Sequence, residues 1–342
     1  MRLADRIAQC RTPFAVRDTT DGSVTFLSGA AQFSREIREC PMRYVLSDEL
    51  TQLCTALAHS KGSSTLACTD LLRVPSERLW VEWCEAPWSR ELSRYGFKAH
   101  VGSAITGRRG ALIYASPCGR RGLLRTFWTT GDSELQVFAS NMEGYFDFDL
   151  AEGEALEAAD QGSEPTFKVF DEEAGRADVL RRCFRFRYEP TWWRYYQRAS
   201  LSPSSSAAIA HHALSTVAVA VPMLLAFFLL LAARPALPRR PLLLERLNRA
   251  RSRSGKAVLL EQIEVSAPLL PGYTPSGETS SGVHRRAPRL HHVRGHLVRR
   301  GSTVFWRIPH LRGSRRAGVI RTRTLTWTFD GAGSASPEIR QG

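Results

Sequence analysis

The chain has 342 residues, 43% of them hydrophobic, with 47 Lys plus Arg against 33 Asp plus Glu and a formal net charge of +14. That length suggests two domains, and that apolar content is enough to bury real cores. A wholly disordered tail protein and a small disulfide-stapled scaffold are therefore excluded.

The charge is unevenly spread. Residues 234–342 hold 21 basic and 6 acidic side chains, a net of +15, whereas residues 1–233 hold 26 and 27. Only Lys61, Lys98, Lys168 and Lys256 are Lys; the other 43 basic residues are Arg. Arg suits phosphate because its planar fork makes bidentate contacts. An Arg-, Ala- and Gly-rich chain is also what a GC-rich genome produces, so the regional asymmetry is the sharper signal.

In chain order, residues 1–45 are mixed, with a strand predicted at Ser23–Leu27. Met1–Cys10 carries Arg2, Asp5 and Arg6 and lacks the apolar core of a signal peptide, so a cytoplasmic location is expected. The seven cysteines all precede residue 184, are odd in number and form no C-x-x-C pair, as buried free thiols in a reducing compartment would. Leu50, Leu53 and Leu57 give Asp48–His59 a helical period. Leu79–Cys84 reads as a buried strand. Short runs follow at Ala99–Ile105, Ala111–Ala115, Leu123–Thr129 and Gln136–Phe138, separated by turn material at Gly107–Gly110 and Pro117–Gly122. An antiparallel meander is predicted.

Residues 131–175 contain 13 acids and one base, and Gly153–Ser163 within them reads as a solvated loop or a short exposed helix. An Arg- and aromatic-rich helix is predicted over Arg176–Ser200, interrupted near Pro190. Ala213–Ala233 is 21 residues without a charge, long enough to span a bilayer and flanked by aromatics upstream and Arg downstream. Pro222 divides it, however, and suits the start of a buried helix. A core helix is expected, with a single-pass membrane protein as the alternative. Leu242–Ser254 reads as a helix capped by Gly255. A strand follows at Ala257–Val265, then a connector at Ala267–Gly282, and strands alternate through Arg289–Phe329.

Standard catalytic signatures are missing. There is no H-E-x-x-H, G-x-S-x-G or G-x-G-x-x-G. Ser254-Gly255-Lys256 has Ala250 and Ala257 where a phosphate-binding loop needs Gly and Ser or Thr. No cofactor and no metal is expected. Asp147 and Asp149 are read as the charged face of an edge strand, with a cation pair as the sharper alternative. Glu82 lies between Trp80 and Trp83 and is read as an Arg-paired carboxylate rather than a catalytic acid.

The richest constellation is His291-His292-Val293-Arg294-Gly295-His296, followed by Trp306-Arg307-Ile308-Pro309-His310-Leu311-Arg312-Gly313. On a strand His292, Arg294 and His296 share a face, and a turn at Gly301-Ser302 would bring Arg307 or His310 alongside. One reading is a polar strand face. A second is nucleic-acid contact, with Arg294, Arg299, Arg300, Arg307 and Arg312 on phosphates and Trp306 stacking on a base. A third is metal-independent RNA cleavage by His292, His296 and His310 with Arg294 on the developing phosphate charge. Zinc is disfavoured, because an i, i+4 pair on a strand stands about 13 Å apart.

Leu247–Gly255 (L-N-R-A-R-x-R-x-G), Arg289–His296 (R-x-H-x-V-R-G-H) and Val304–Gly313 (V-F-W-R-x-P-H-L-R-G) together resemble a group of uncharacterised tailed-phage and prophage proteins. Val74–Trp83 (V-P-x-x-x-x-W-V-E-W) is similar to another of their segments. The resemblance implies a core role for the apolar helix and carries no established activity. One departure is Ala257-Val258, where that group usually has a Pro.

The expectation is an α+β protein. Residues 1–175 form a mixed meander domain, 176–254 a helical region with the core helix at 213–233, 255–330 a basic β-hairpin unit, and 331–342 a flexible tail. The expected partner is nucleic acid or an acidic protein surface.

Overall fold

The computed structural model describes residues 2–10, 14–17, 24–27, 30–59, 70–96, 107–129, 137–149, 166–167, 183–190, 192–194, 214, 217–233, 237–267, 289–293, 295–307, 310–312 and 314–319. The chain divides into two units, residues 1–269 with 296–307, and residues 270–295 with 308–342. The strand predicted at Ala99–Ile105, the acidic loop at Gly153–Ser163, most of the connector, Arg294, and everything from residue 320 on lie outside the described residues.

The elements run α1 (Leu3–Gln9), β1 (Phe14–Arg17), β2 (Val24–Leu27), α2 (Ala30–Glu39), β3 (Met42–Leu46), α3 (Asp48–His59), β4 (Arg78–Cys84), α4 (Glu85–Ser93) and β5 (Arg108–Ala115). Then come β6 (Arg121–Trp128), β7 (Phe138–Asp147), β8 (Thr166–Phe167), β9 (Phe184–Tyr188), α5 (Val221–Ala232), β10 (Arg239–Pro241), α6 (Glu245–Arg253) and β11 (Ile263–Val265). The chain closes with β12 (Arg289–Val293), β13 (His296–Arg300), β14 (Thr303–Arg307), β15 (His310–Arg312) and β16 (Ser314–Val319). The protein is α+β, as its pattern predicted.

An eleven-stranded sheet runs β10-β11-β3-β4-β5-β6-β7-β1-β2, with β9 on β7 and β8 on β9. The β4-β5-β6-β7 core is the expected antiparallel meander. Parallel pairing adds β3 to β4, β11 to β3 and β1 to β7. Helices cover both faces. Trp80 joins α1, α2 and Phe127 in one core that holds Leu3, Ile7 and Ile37. On the opposite face Trp83 packs edge-on against Trp88 of α4, and Tyr44 against Phe227 of α5. β4 is therefore buried along nearly its whole length, as a doubly covered strand must be.

Several expectations change. Gly107–Gly110 does not form a turn, because Arg108, Arg109 and Gly110 are the first residues of β5. Gly110 is required there for close approach: a Cβ at that position would overlap the Trp80 ring. The predicted helix over Arg176–Ser200 contains β9, since Phe184, Phe186 and Tyr188 alternate with Arg185 and Arg187 at the period of a strand. The strand predicted at Ala257–Val265 shrinks to Ile263–Val265, because Leu259 is held by the Asn248 side chain through two bonds of 2.8 and 2.9 Å. Asp147 and Asp149 do not mark an edge. β7 is flanked by β6 and β9, and both carboxylates pair with Arg120 or Arg121.

The apolar segment is a core helix. Every residue of Val221–Leu230 is buried, and α5 packs against α3 and β14. Twelve residues span about 18 Å, well short of the roughly 30 Å hydrocarbon layer. Among the described residues no helix is long and apolar enough to cross a membrane.

Glu82 ties the two layers together at β4. Its carboxylate is fully buried and accepts from the backbone N–H groups of Leu3 (2.9 Å) and Ala4 (3.0 Å), from Trp80 Nε1 (3.3 Å) and from Arg108 Nε. Replacing Glu82 with Gln leaves the Arg108 charge without its counter-ion, and should cost about 3–5 kcal/mol in urea unfolding. A Glu82→Gln protein as stable as the parent would show that the pair is dispensable.

His59, at the end of α3, is buried against Tyr95, and desolvation pushes its imidazole down to about 4. The unfolded imidazole titrates near ~6.5. Between those values the unfolded chain binds a proton that the native state refuses, so stability falls as pH drops through the window. His59→Gln should remove up to on the order of 3 kcal/mol of that acid dependence. Unfolding midpoints at neutral and mildly acid pH, parent against variant, measure it.

Candidate functional site

The hairpin β13–β14 belongs to the first unit. Its strands pair antiparallel through His296↔Arg307, Leu297↔Trp306, Val298↔Phe305, Arg299↔Val304 and Arg300↔Thr303. The two-residue turn Gly301-Ser302 is the predicted one, with Gly301 at φ 58°, the left-handed conformation that such turns require.

Strand parity then sorts the side chains. Leu297, Val304 and Trp306 share the inward face and are buried, with β14 lying against α5. The opposite face carries His296, Val298 and Arg300 on β13 and Thr303, Phe305 and Arg307 on β14. Arg300 and Arg307 are exposed and make no ion pair among the described residues. They stand at the two ends of this face, with the half-buried Phe305–Val298 pair between them and His296 directly across from Arg307. Four residues of strand separate His296 from Arg300, about 13 Å.

Two sequence-derived roles change. Trp306, read as the stacking aromatic, is only 6% exposed and anchors the hairpin to the core. Phe305 takes the outward position instead. Its parity with Arg307 was readable in the sequence; the deciding fact is which face meets α5. Arg299, read as a phosphate contact, makes a bidentate pair with Asp70 at 2.7 and 2.8 Å. Both partners are substantially exposed, so this pair fixes the hairpin's position more than its stability.

The proposed cleavage constellation is divided. His292 and His310 lie on β12 and β15 in the second unit, where the register is His291↔Arg312, His292↔Leu311 and Val293↔His310. They occupy neighbouring rungs rather than a cross-strand pair. His296 lies in the first unit, and Arg294 is outside the described residues. Arg312 is exposed on β15. Among the described residues no group of three or more His, Cys, Asp or Glu gathers as a metal site.

The burial difference is directly measurable. Trp306→Ala should destabilise the first unit by about 3–5 kcal/mol. Phe305→Ala should cost about 1 kcal/mol, as a partly exposed side chain does. Equal losses by chemical denaturation would reverse the two assignments.

No protein-family model, no curated protein and no solved structure matches this chain, so its reading rests on its own residues and geometry.

Proposed function

We propose that the protein binds nucleic acid through the outward face of the β13–β14 hairpin, and that it does so in the cytoplasm. The observation that carries this reading is the arrangement of that face. Two exposed arginines, without acidic partners among the described residues, flank a partly exposed phenylalanine on a strand pair anchored by three buried apolar residues. Guanidinium groups suit phosphate oxygens, and an aromatic ring between them offers a surface on which a base can stack. Such a combination favours single strands over duplex, because a paired base presents no free face.

The net charge of +15 over residues 234–342 would attract a polyanion to this part of the chain. Among the described residues Cys40 and Cys54 are buried free thiols, which supports a reducing compartment.

Anisotropy of a labelled single-stranded oligonucleotide, followed through a salt titration, tests the proposal. Replacing both Arg300 and Arg307 with Ala should flatten the log-affinity against log-salt slope by about 1.4, two phosphate contacts at roughly 0.7 each. Phe305→Ala should weaken binding about tenfold or more while leaving that slope intact. Parent-like binding by the double-Ala protein would overturn the reading. A chain that ignores oligonucleotides yet captures polyglutamate would instead contact an acidic protein surface.

A further inference from the structure

A second place in the first unit is built around arginines and lies apart from the hairpin strands. A cavity of about 580 Å³ opens where α1, the start of β5 and the β10–α6–β11 segment meet. Its polar lining includes Arg2, Asp5, Arg108 and Arg251, and its apolar lining is the run Leu242–Leu244 with Leu259.

Two of the three cationic groups are held in place from behind. Arg108 donates from Nε to the buried Glu82 carboxylate and from Nη1 to Cys84 Sγ at 3.3 Å. Its Nη2 is buried and has no hydrogen-bond partner among the described residues. A buried guanidinium nitrogen left unpaired is costly and calls for an acceptor. Arg251 is tethered through Nε to Ala257 O at 2.7 Å, which fixes the stem, and among the described residues its two terminal nitrogens make no hydrogen bond. Arg2 makes no side-chain hydrogen bond among the described residues. The one acid in the lining, Asp5, accepts from Leu260 N at 2.7 Å and Gln262 Nε2 at 3.5 Å, and three arginines against this one carboxylate leave the lining predominantly basic.

The apolar wall is equally unusual. Leu243 is 90% exposed, and Leu247 and Val258 nearby in the same segment are also exposed. A large aliphatic side chain left in water beside three guanidinium groups is a pairing that one amphiphilic molecule would satisfy at both ends.

We propose that this cavity binds a small organic anion, a carboxylate or phosphate group carried on an apolar chain. The head group is received by Arg108, Arg2 and Arg251, and the chain lies along Leu243. The Asn248 bonds to Leu259 hold the wall in register with α6, so the L-N-R-A-R run supplies both a head-group ligand, Arg251, and the support for the wall.

Isothermal titration of the full chain with octyl phosphate, octanoate and inorganic phosphate tests this. Octyl phosphate or octanoate should bind saturably, the tighter of the two identifying the head group, and inorganic phosphate should bind at least about tenfold more weakly. Arg2→Gln and Arg251→Gln should each weaken the preferred amphiphile by about tenfold, the value of one charge-assisted hydrogen bond. Leu243→Asp should abolish the preference for the octyl ligands over inorganic phosphate. Arg108→Ala is unsuitable alone, since it strands Glu82; the other three substitutions fall on side chains outside that ion pair, and circular dichroism confirms that each variant is folded. No saturable binding by the folded parent, or affinities unchanged in all three variants, would overturn the proposal, as would equal affinity for inorganic phosphate. Retained oligonucleotide binding by Arg2→Gln and Leu243→Asp keeps this site separate from the hairpin.

Discussion

A single buried carboxylate organises the first unit. Glu82 is on β4, an interior strand of the sheet, with no solvent exposure, and a charge in that position is tolerable only when donors surround it. Those donors come from three separate parts of the chain. α1 contributes the N–H groups of Leu3 and Ala4, β4 contributes the Trp80 indole, and β5 contributes Arg108. The seven-residue α1 is too short to persist by itself, so its first turn exists because β4 satisfies its orphan N–H groups. α1 in turn places Asp5 to receive Leu260 N, which leads the chain into β11 at the far side of β3. A carboxylate chosen to solve one buried charge thus fixes a helix, a sheet edge and the orientation of an arginine.

The same economy of constraint governs the rest of the molecule. The sheet needs cover on both faces, and α5 provides it where α3 and β14 also meet. An all-apolar helix is stable there because Val221–Leu230 are buried. A second buried acid, Glu143, sits between Arg125 and Tyr145 at 2.5 and 2.8 Å, joining β6 to β7 in the same manner as Glu82 joins α1 to β4. Ion pairs also occupy other arginines of the near-neutral body: Arg108, Arg109, Arg120 and Arg125 each pair with a carboxylate.

How far the sequence carried depended on the range of each interaction. Asp48–His59 was legible to the residue because its leucines repeat at the helical period and its ends carry local signals. The β4–β7 meander was legible from apolar runs and turns between them. α1 was not, because its N-terminus is satisfied by a residue 79 positions away. Gly107–Gly110 looked like a turn from composition alone, and only the Trp80 ring lying over Gly110 explains a glycine within a strand. On the hairpin, the alternation and the turn were visible, whereas the choice between Trp306 and Phe305 as the outward aromatic was not.

The sequence by itself determined the α+β class, the meander, the apolar core helix and the basic C-terminal strands, because each follows from periodicity, turn chemistry or charge read over a few adjacent residues. The tertiary structure decided which carboxylates are counter-ions, which aromatic faces outward, that β11 returns to the N-terminal sheet, and that His296 lies in a different unit from His292 and His310. Those outcomes depend on contacts between residues tens to hundreds of positions apart, and no local pattern encodes which of two equivalent faces a distant helix will cover.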